Sequence, residues 1–206
     1  MEKFTKSLFC FLILFPLLSF ADSSNVAQNG MVVSEQQIAS QVGVDILKQG
    51  GNAIDAAVAT GYALAVTYPC CGNIGGGGFM TIHLANGENV FLNFRETAPS
   101  AATSNMYLNK SPNASTQGYL AVGVPGTVLG LDTALKEYGT MSRQTVMAPA
   151  IALAEHGFIF GTQNANLIKE YSTAFASQNN IKAIFYKNNQ PLSSTEKLIQ
   201  PQLANT

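Results

Sequence analysis

Four consecutive glycines, Gly75 to Gly78, stand directly before two strand-like segments and constrain the fold more than any other feature of this chain. Residues 79–85 and 88–95 are rich in apolar side chains, and Asn86-Gly87 lies between them. Asn-Gly is typical of the two-residue type I′ turn that closes a β-hairpin. The sequence therefore predicts a hairpin that begins where the glycine run ends.

A two-residue turn also determines which residues face each other across the hairpin. If Ala85 pairs with Glu88, then Gly78 lies opposite Arg95. Apolar side chains then fall on both faces, which predicts a sheet covered on both sides. Arg95 becomes a charge at the end of a mostly buried strand, where it needs an anion because a buried unpaired guanidinium is costly. Either a protein carboxylate or a substrate carboxylate supplies that anion.

The glycine run does not have the pattern of a phosphate-binding loop. It lacks a Lys-Ser/Thr ending, does not fit G-x-G-x-x-G, and leads into a strand instead of a helix. The chain has 11 Lys and Arg against 12 Asp and Glu and contains no basic cluster, which argues against a nucleic-acid partner. Four glycines are better explained by close approach of the backbone to a ligand or to a neighbouring strand.

The first 21 residues have the order of a signal peptide. Lys3 and Lys6 precede an apolar run, and small residues follow at Ser19 and Ala21. This order predicts cleavage after Ala21, a periplasmic or secreted protein, and no stable membrane span after cleavage. An uncleaved anchor is the alternative, although the run is short for a bilayer. Residues 22–30 are polar and are interpreted as a leader.

Two adjacent cysteines, Cys70 and Cys71, precede the glycine run. A disulfide between neighbours is strained and no second pair offers a framework, so we expect both to be small packed residues. The alternative is a redox switch beside the glycine run. His83 and His156 lie far apart in sequence and show no metal-ligand spacing, so the sequence predicts no metal and no other cofactor.

Start and stop signals predict that much of the remaining chain is helical. A short strand is expected at 31–33, and Ser34-Glu-Gln-Gln37 matches a capping box. Asn52 is expected to cap the next helix, with Asp55 in the first turn, where the helix dipole favours a negative charge. The chain is expected to stop inside an element. The predicted helices cover residues 34–49, 53–66, 127–138, 142–157 and 163–176, with a first helical turn at 202–206.

Three motifs occur in order along the chain: Gly-Gly-Asn-Ala-Ile-Asp-Ala-Ala at 50–57, Gly-Asn-Ile-Gly-Gly-Gly-Gly-Phe at 72–79, and Asn-Phe-Arg-Glu-Thr-Ala-Pro at 93–99. Together they resemble the large subunit of γ-glutamyltransferase, also called γ-glutamyl transpeptidase or glutathione hydrolase. The resemblance runs from about Val32 to the last residue.

The resemblance implies an α+β fold, namely the four-layer αββα architecture of N-terminal-nucleophile hydrolases, here truncated, with residues 31–206 as an incomplete domain. It also implies an enzyme that cleaves γ-glutamyl amides such as glutathione and passes the γ-glutamyl group to water, amino acids or peptides. The catalytic Thr of such enzymes opens a small subunit cut from the same precursor, and its free amine can act as the base. That small subunit is the expected partner.

The resemblance assigns one substrate residue and no catalytic residue to this chain. Arg95 matches the arginine that binds the α-carboxylate of the γ-glutamyl substrate, and Glu96 and Gly78 are expected beside it, Glu96 more as a structural ion pair than as an orienting group. The nucleophile's Thr-Thr-His motif is not in this sequence, so the chain alone is expected to be inactive. A non-catalytic remnant or γ-glutamyl-binding module is the alternative, and a related amidase of the same superfamily is a weaker one.

Overall fold

The structure is a computed structural model that describes residues 26–206. The predicted signal peptide and its cleavage site at Ala21 lie outside the described residues. The helices are α1 (Gln37–Lys48), α2 (Ala53–Thr67), α3 (Thr127–Tyr138), α4 (Arg143–His156), α5 (Gly161–Glu170), α6 (Ser172–Phe175), α7 (Asn179–Phe185) and α8 (Pro201–Asn205), with a 3₁₀ turn at Tyr119–Ala121. The strands are β1 (Phe79–His83), β2 (Asn89–Asn93), β3 (Phe158–Ile159), β4 (Tyr186–Lys187), β5 (Gln190–Pro191) and β6 (Lys197–Leu198).

Helix α2 lies at the centre of the helical part. Helices α1, α3 and α4 pack against it, and α8 packs against α4. Eleven of its residues are buried, including small side chains such as Ala59 and Ala63, so α2 is apolar on nearly every side. Gly43 of α1 meets Thr60 of α2 so closely that a Cβ would overlap the Thr60 hydroxyl. Helices α1 and α2 therefore pack closely here, because Gly43 has no side chain to hold them apart.

The N-terminal part of this bundle differs from the prediction at two places. The strand expected at 31–33 is not formed. Helix α1 begins at Gln37, and its N-cap Gln36 makes no side-chain capping bond. Ser34 donates instead to the Gln36 carbonyl oxygen at 3.0 Å, and its Oγ lies 2.8 Å from Ser40 Oγ. The predicted capping box is therefore wrong, because the serine lies too far ahead of the first helical turn.

Strands β1 and β2 form the predicted hairpin, but one residue out of the predicted register. Phe79 pairs with Asn93, so Gly78 pairs with Phe94 and not with Arg95. The loop has three residues, 85–87, and Gly87 has a φ of +87°. Three-residue hairpin loops end on a left-handed residue, which glycine adopts without strain. Asn-Gly thus marks the turn, whereas the loop length differs from the two-residue prediction.

The shift in register changes which side chains share a face, because side chains alternate along a strand. Phe79 and Phe91 lie on the exposed face of the hairpin, where their rings stack with centroids 5.7 Å apart. Within the described part of the chain the sheet is therefore covered on one side, and the prediction of two covered faces is wrong there. The side chains on the packed face are Met80, Ile82, Leu84, Val90, Leu92 and Phe94.

Helices α3 and α4 follow the sequence signals closely. Helix α3 has the predicted bounds, and Ser142 caps α4 by accepting a hydrogen bond from the Thr145 backbone N–H at 3.1 Å. The helix expected at 163–176 is interrupted at Tyr171, which separates α5 from α6. Helices and short antiparallel strands alternate along the chain, in agreement with the α+β class. In the segment from 26 to 206, no helix combines the length and apolar character needed to cross a bilayer.

Candidate functional site

The glycine run fixes the end of the hairpin against helix α3. The Gly76 carbonyl oxygen accepts hydrogen bonds from the backbone N–H groups of Gly126 and Thr127, at 2.8 and 3.0 Å. Gly130 lies one turn further along α3, and a Cβ there would overlap the Phe94 ring. The helix N-terminus is thus occupied by a backbone carbonyl. Of the two predicted reasons for the glycine run, a ligand or a neighbouring strand, the second fits Gly77, where a Cβ would come within 2.6 Å of the Phe94 carbonyl oxygen.

Glu96 lies between two glycines. A Cβ on Gly77 would come within 2.7 Å of the Glu96 nitrogen and 2.8 Å of its Oε2, and a Cβ on Gly123 would come within 3.0 Å of its Cβ. The next residue, Thr97, exchanges backbone hydrogen bonds with Val124 at 3.2 and 2.8 Å. The backbone at the end of β2 is therefore held from two sides. The glycine that makes room for Glu96 is Gly77 and not the expected Gly78.

Arg95 projects from this fixed backbone into solvent. Its side chain is 61% exposed and β2 alternates between exposed and half-buried residues, so the prediction that Arg95 ends a mostly buried strand is wrong for the described residues. Its Nε lies 3.3 Å from Glu96 Oε2, and its guanidinium carbon lies 5.8 Å from the centroid of the Phe79 ring. Guanidinium groups interact favourably with aromatic faces. Glu96 and Phe79 therefore orient the group, and neither terminal nitrogen of the guanidinium makes a hydrogen bond to a residue of the segment 26–206.

Arg95 and Glu96 line an open cavity of about 350 Å³. They are the charged residues of its lining, which also includes Thr97, Tyr107 and Leu120. The Tyr107 hydroxyl donates a hydrogen bond to the Leu120 carbonyl oxygen at 2.9 Å and so links the two segments of the cavity wall. Small-molecule sites typically start at a volume of this order and contain a few oriented polar groups. The cavity fits a small anion that has further polar groups.

A second cavity, of about 390 Å³, lies between α2, α4 and α8. Apolar side chains such as Val66, Met147 and Leu203 line it, and no arginine or lysine does. A carboxylate would lose its hydration there without gaining a cation, which is unfavourable. The cavity beside Arg95 is therefore the candidate anion site.

Arg143, the other arginine of the chain, provides a reference for Arg95. Its side chain is 63% exposed, nearly the same as that of Arg95. Its Nε donates to Asp132 Oδ1 at 2.7 Å, and its Nη2 contacts the same oxygen. Arg143 joins α4 to α3 through two of its nitrogens. Two arginines of equal exposure thus differ in what remains free on the guanidinium.

A buried carboxylate, Asp55, links the start of α2 to the segment after α3. Desolvation by burial alone raises the pKa of Asp55, but hydrogen bonds from the Thr140 hydroxyl and from the backbone of Met141, Asn52 and Thr140 outweigh it and lower the pKa below its usual value. The Thr140 hydroxyl donates at 2.6 Å. Asp55, which was predicted in the first turn of α2, is thus also a tether for the segment after α3, and the sequence interpretation missed this role.

Cys70 and Cys71 are both exposed, so the prediction of packed cysteines is wrong. Their Sγ atoms lie 2.8 Å apart in the turn between α2 and the glycine run. Tyr68, at the end of α2, anchors this turn, because its carbonyl oxygen accepts from the N–H groups of Cys71 and Gly72 at 3.1 and 2.8 Å. A Cβ on Gly72 would come within 2.5 Å of the Leu64 carbonyl oxygen, so the turn lies directly on the helix.

Comparisons with known proteins match nearly the whole described chain. A family model described as Gamma-glutamyltranspeptidase matches residues 39–206. A glutathione hydrolase proenzyme from Pseudomonas sp. (strain A14) is 56% identical over 87% of this chain. The crystal structure of Helicobacter pylori gamma-glutamyltranspeptidase superposes with a TM-score of 0.84 at 46% identity, over 88% of this chain and 53% of that one.

A further relative is described by a different activity. The acylase ACY 1 proenzyme from Pseudomonas sp. (strain V22) is 39% identical over 85% of this chain. The chain spans 32% of the length of the Pseudomonas A14 relative and 33% of the length of this acylase. It therefore corresponds to about a third of each of these two proenzymes.

Proposed function

Because the chain belongs to the gamma-glutamyltranspeptidase family, we propose that it is the N-terminal part of the large subunit of a γ-glutamyltransferase, with Arg95 as the residue that binds the α-carboxylate of the substrate. The substrate class is γ-glutamyl amides, with glutathione as one example. The complete enzyme would transfer the γ-glutamyl group to water, an amino acid or a peptide, and would adopt the four-layer αββα arrangement.

The observation that carries this proposal is the free end of the Arg95 guanidinium at the wall of the 350 Å³ cavity. An arginine has five N–H donors in a planar fork. Glu96 Oε2 lies 3.3 Å from Nε, at the side of the fork, and neither terminal nitrogen donates a hydrogen bond to the described residues. A carboxylate that approaches these nitrogens can form two parallel charge-assisted hydrogen bonds. The geometry therefore supports bidentate recognition of one carboxylate.

Catalysis requires groups that this sequence does not contain. The chain has no Thr-Thr-His motif, so the proposal places the nucleophile on a small subunit released from the same precursor. In that arrangement the large-subunit part fixes the α-carboxylate while the Thr attacks the γ-amide, and its own amine serves as the base. The proposal includes export directed by residues 1–21, with cleavage after Ala21.

The similarity to an acylase favours a second candidate, an amidase of the same superfamily with a different acyl group. The two candidates differ in what Arg95 contacts. A γ-glutamyl substrate carries an α-carboxylate, whereas an acyl group without that carboxylate gives the terminal nitrogens no anion. Substrates with and without the α-carboxylate therefore distinguish the two activities.

The test replaces the matching third of the Pseudomonas A14 proenzyme by this chain and changes Arg95→Lys. Lysine keeps the charge and loses the planar fork. Loss of one charged hydrogen bond in a sheltered site costs on the order of 1.5–3 kcal/mol. We therefore expect kcat/KM for a γ-glutamyl anilide to fall roughly ten- to a hundredfold, with autocleavage intact.

Arg143→Lys is the matched control, because both arginines are equally exposed and each has one acidic partner. We expect this control to leave kcat/KM unchanged. Autocleavage is followed by gel, and activity is measured on anilides with and without the α-carboxylate. Equal loss on both substrates, or loss of autocleavage, would contradict the carboxylate-binding role. An active chimera that prefers acyl groups without the α-carboxylate would favour the amidase, and an inactive but processed chimera that still binds glutamate would favour a non-catalytic binding module.

A further inference from the structure

We propose that Cys70 and Cys71 form a reversible dithiol site that a small disulfide, such as glutathione disulfide, oxidises to a bond between the two neighbouring residues. The proposal does not depend on the role of Arg95. It starts from two exposed thiols whose sulfur atoms already lie 2.8 Å apart. Because the two sulfur atoms are already close to each other, the second step of a thiol–disulfide exchange is intramolecular.

The turn that carries the two thiols is anchored at its base. Both N–H groups that follow Cys70 bond to the Tyr68 carbonyl oxygen, and Gly72 packs against the backbone of α2. The pair is therefore presented at the end of a buried helix and not on a free loop. Such anchoring keeps one thiol within reach of the other after the first has reacted.

The surroundings assign different roles to the two thiols. Cys70 and Pro69 line a cavity of about 240 Å³ whose wall includes Phe160 and Leu167. Burial beside this apolar wall raises the pKa of the Cys70 thiol, and the contact with Cys71 raises it further. Thiolate is the attacking species in disulfide exchange. Cys70 lies against the cavity wall, whereas Cys71 is not part of that wall and is open to a disulfide from solution. Cys71 is therefore the attacking residue, and Cys70 is the resolving one.

The reaction consists of two exchanges that balance without another reactant. The Cys71 thiolate attacks one sulfur of glutathione disulfide, the S–S bond breaks, and one glutathione leaves and takes up the proton that Cys71 lost. Cys70 then loses its proton and attacks the Cys71 sulfur, and the second glutathione leaves. Two protein thiols are oxidised, and one disulfide is reduced to two thiols.

A disulfide between neighbouring residues closes a small ring and departs from relaxed geometry, which makes it easy to reduce. Strained and exposed disulfides are the labile ones. The site is therefore reversible and responds to the ratio of thiol to disulfide around the protein.

The test follows the tryptic peptide 49–95, which contains Cys70 and Cys71 and no other cysteine. The full chain is incubated with glutathione disulfide, free thiols are alkylated, and the peptide is weighed by mass spectrometry. We expect wild type to lose two hydrogens and at least nine tenths of its alkylation, and dithiothreitol to restore both. Cys70→Ser is the matched variant, and we expect it to keep a stable glutathione adduct on Cys71, because its resolving thiol is missing.

Three results would overturn the proposal. In the first, wild type retains the glutathione adduct under the conditions that attach glutathione to Cys70→Ser. In the second, both wild-type thiols are fully alkylated under those conditions. In the third, a non-reducing gel would show a dimer linked through these cysteines. All three results are read on the wild-type chain, the first two from its peptide mass and the third from its gel, and Cys70→Ser serves only to set the conditions.

Discussion

The charge at the start of α2 and the charge at the end of β2 are held in opposite ways. Asp55 is completely buried, and each of its carboxylate oxygens accepts hydrogen bonds from the protein. Arg95 is mostly exposed, and Glu96 occupies one side of its guanidinium. Buried charges need their hydrogen bonds satisfied by the protein itself. A charge with open positions on a fixed backbone is available to a ligand, whereas a fully satisfied charge contributes to the fold.

The largest effect should follow from removing the charge of Asp55. Asp55→Asn keeps the size of the side chain but directs an NH₂ group at backbone N–H groups, so donors of Thr140 or Met141 lose their acceptor. An unsatisfied buried group costs about 1–3 kcal/mol, and with more than one affected we expect the free energy of unfolding to fall by about 2–4 kcal/mol. Urea unfolding measures it.

The control for Asp55→Asn is Asp45→Asn. Asp45 is exposed on α1 and accepts one side-chain hydrogen bond, from Gln41 Nε2 at 2.8 Å. Exposed substitutions usually change stability by less than about 0.5 kcal/mol. Equal losses in the two variants would show that the hydrogen bonds of buried Asp55 stabilise the fold no more than those of exposed Asp45.

A smaller effect is expected from the backbone that supports Arg95. In Gly77→Ala the new Cβ would lie 2.6 Å from the Phe94 carbonyl oxygen and 2.7 Å from the Glu96 nitrogen, both backbone atoms, so the strand must shift. Overpacking of this kind costs about 1–3 kcal/mol. Thermal unfolding should show the loss.

Gly75→Ala, two residues earlier in the same run, is the control for Gly77→Ala. Its Cβ would have Asn73 Oδ1 as its nearest neighbour at 3.6 Å, an ordinary contact, so we expect little change or a small gain. If both alanines are tolerated equally, the end of β2 is not fixed as described, and Arg95 loses its rigid support.

The smallest effect is a pH dependence that belongs to Asp55 and not to Arg95. The pKa of Asp55 is lower in the folded chain than in the unfolded one, so its stabilisation is present above the unfolded pKa of about 3.9 and is lost as pH falls through the folded pKa. The stability difference between wild type and Asp55→Asn should therefore shrink below about pH 4. Denaturant unfolding between pH 7 and pH 2 measures it, and a constant difference would contradict the hydrogen-bonded carboxylate.

Local signals predicted the parts of the fold that depend on near neighbours. Asn52, Ser142 and Gly157 mark helix ends, and the structure has α2, α3 and α4 within a residue or two of the predicted bounds. The hairpin was predicted with the wrong register, because Asn-Gly is compatible with a three-residue loop as well as with a two-residue loop. One residue of loop length decides the faces of both strands.

Contacts between distant parts of the chain could not be read from the sequence. Thr140 reaches Asp55 across 85 positions, and nothing in the sequence near Thr140 connects it to a carboxylate. Phe79 was missed as a contact of Arg95 because the predicted register placed the two side chains on opposite faces. The glycine run did point to the backbone that carries Arg95 and Glu96, since the close approach of Gly77 to the Phe94 oxygen and the Glu96 nitrogen requires glycine.

Residues 98–123 form an excursion whose ends are joined by the paired backbone hydrogen bonds of Thr97 and Val124. The entropy lost on closing a flexible loop grows only with the logarithm of its length, so even a doubling would cost about 0.6 kcal/mol. Because Arg95 and Glu96 precede the closing point, we expect insertions between Tyr107 and Leu120, which line the candidate cavity, to leave the backbone of Arg95 and Glu96 in place. Insertions near Asn113 should therefore be found in related sequences, while the hairpin and α3 keep their relative placement.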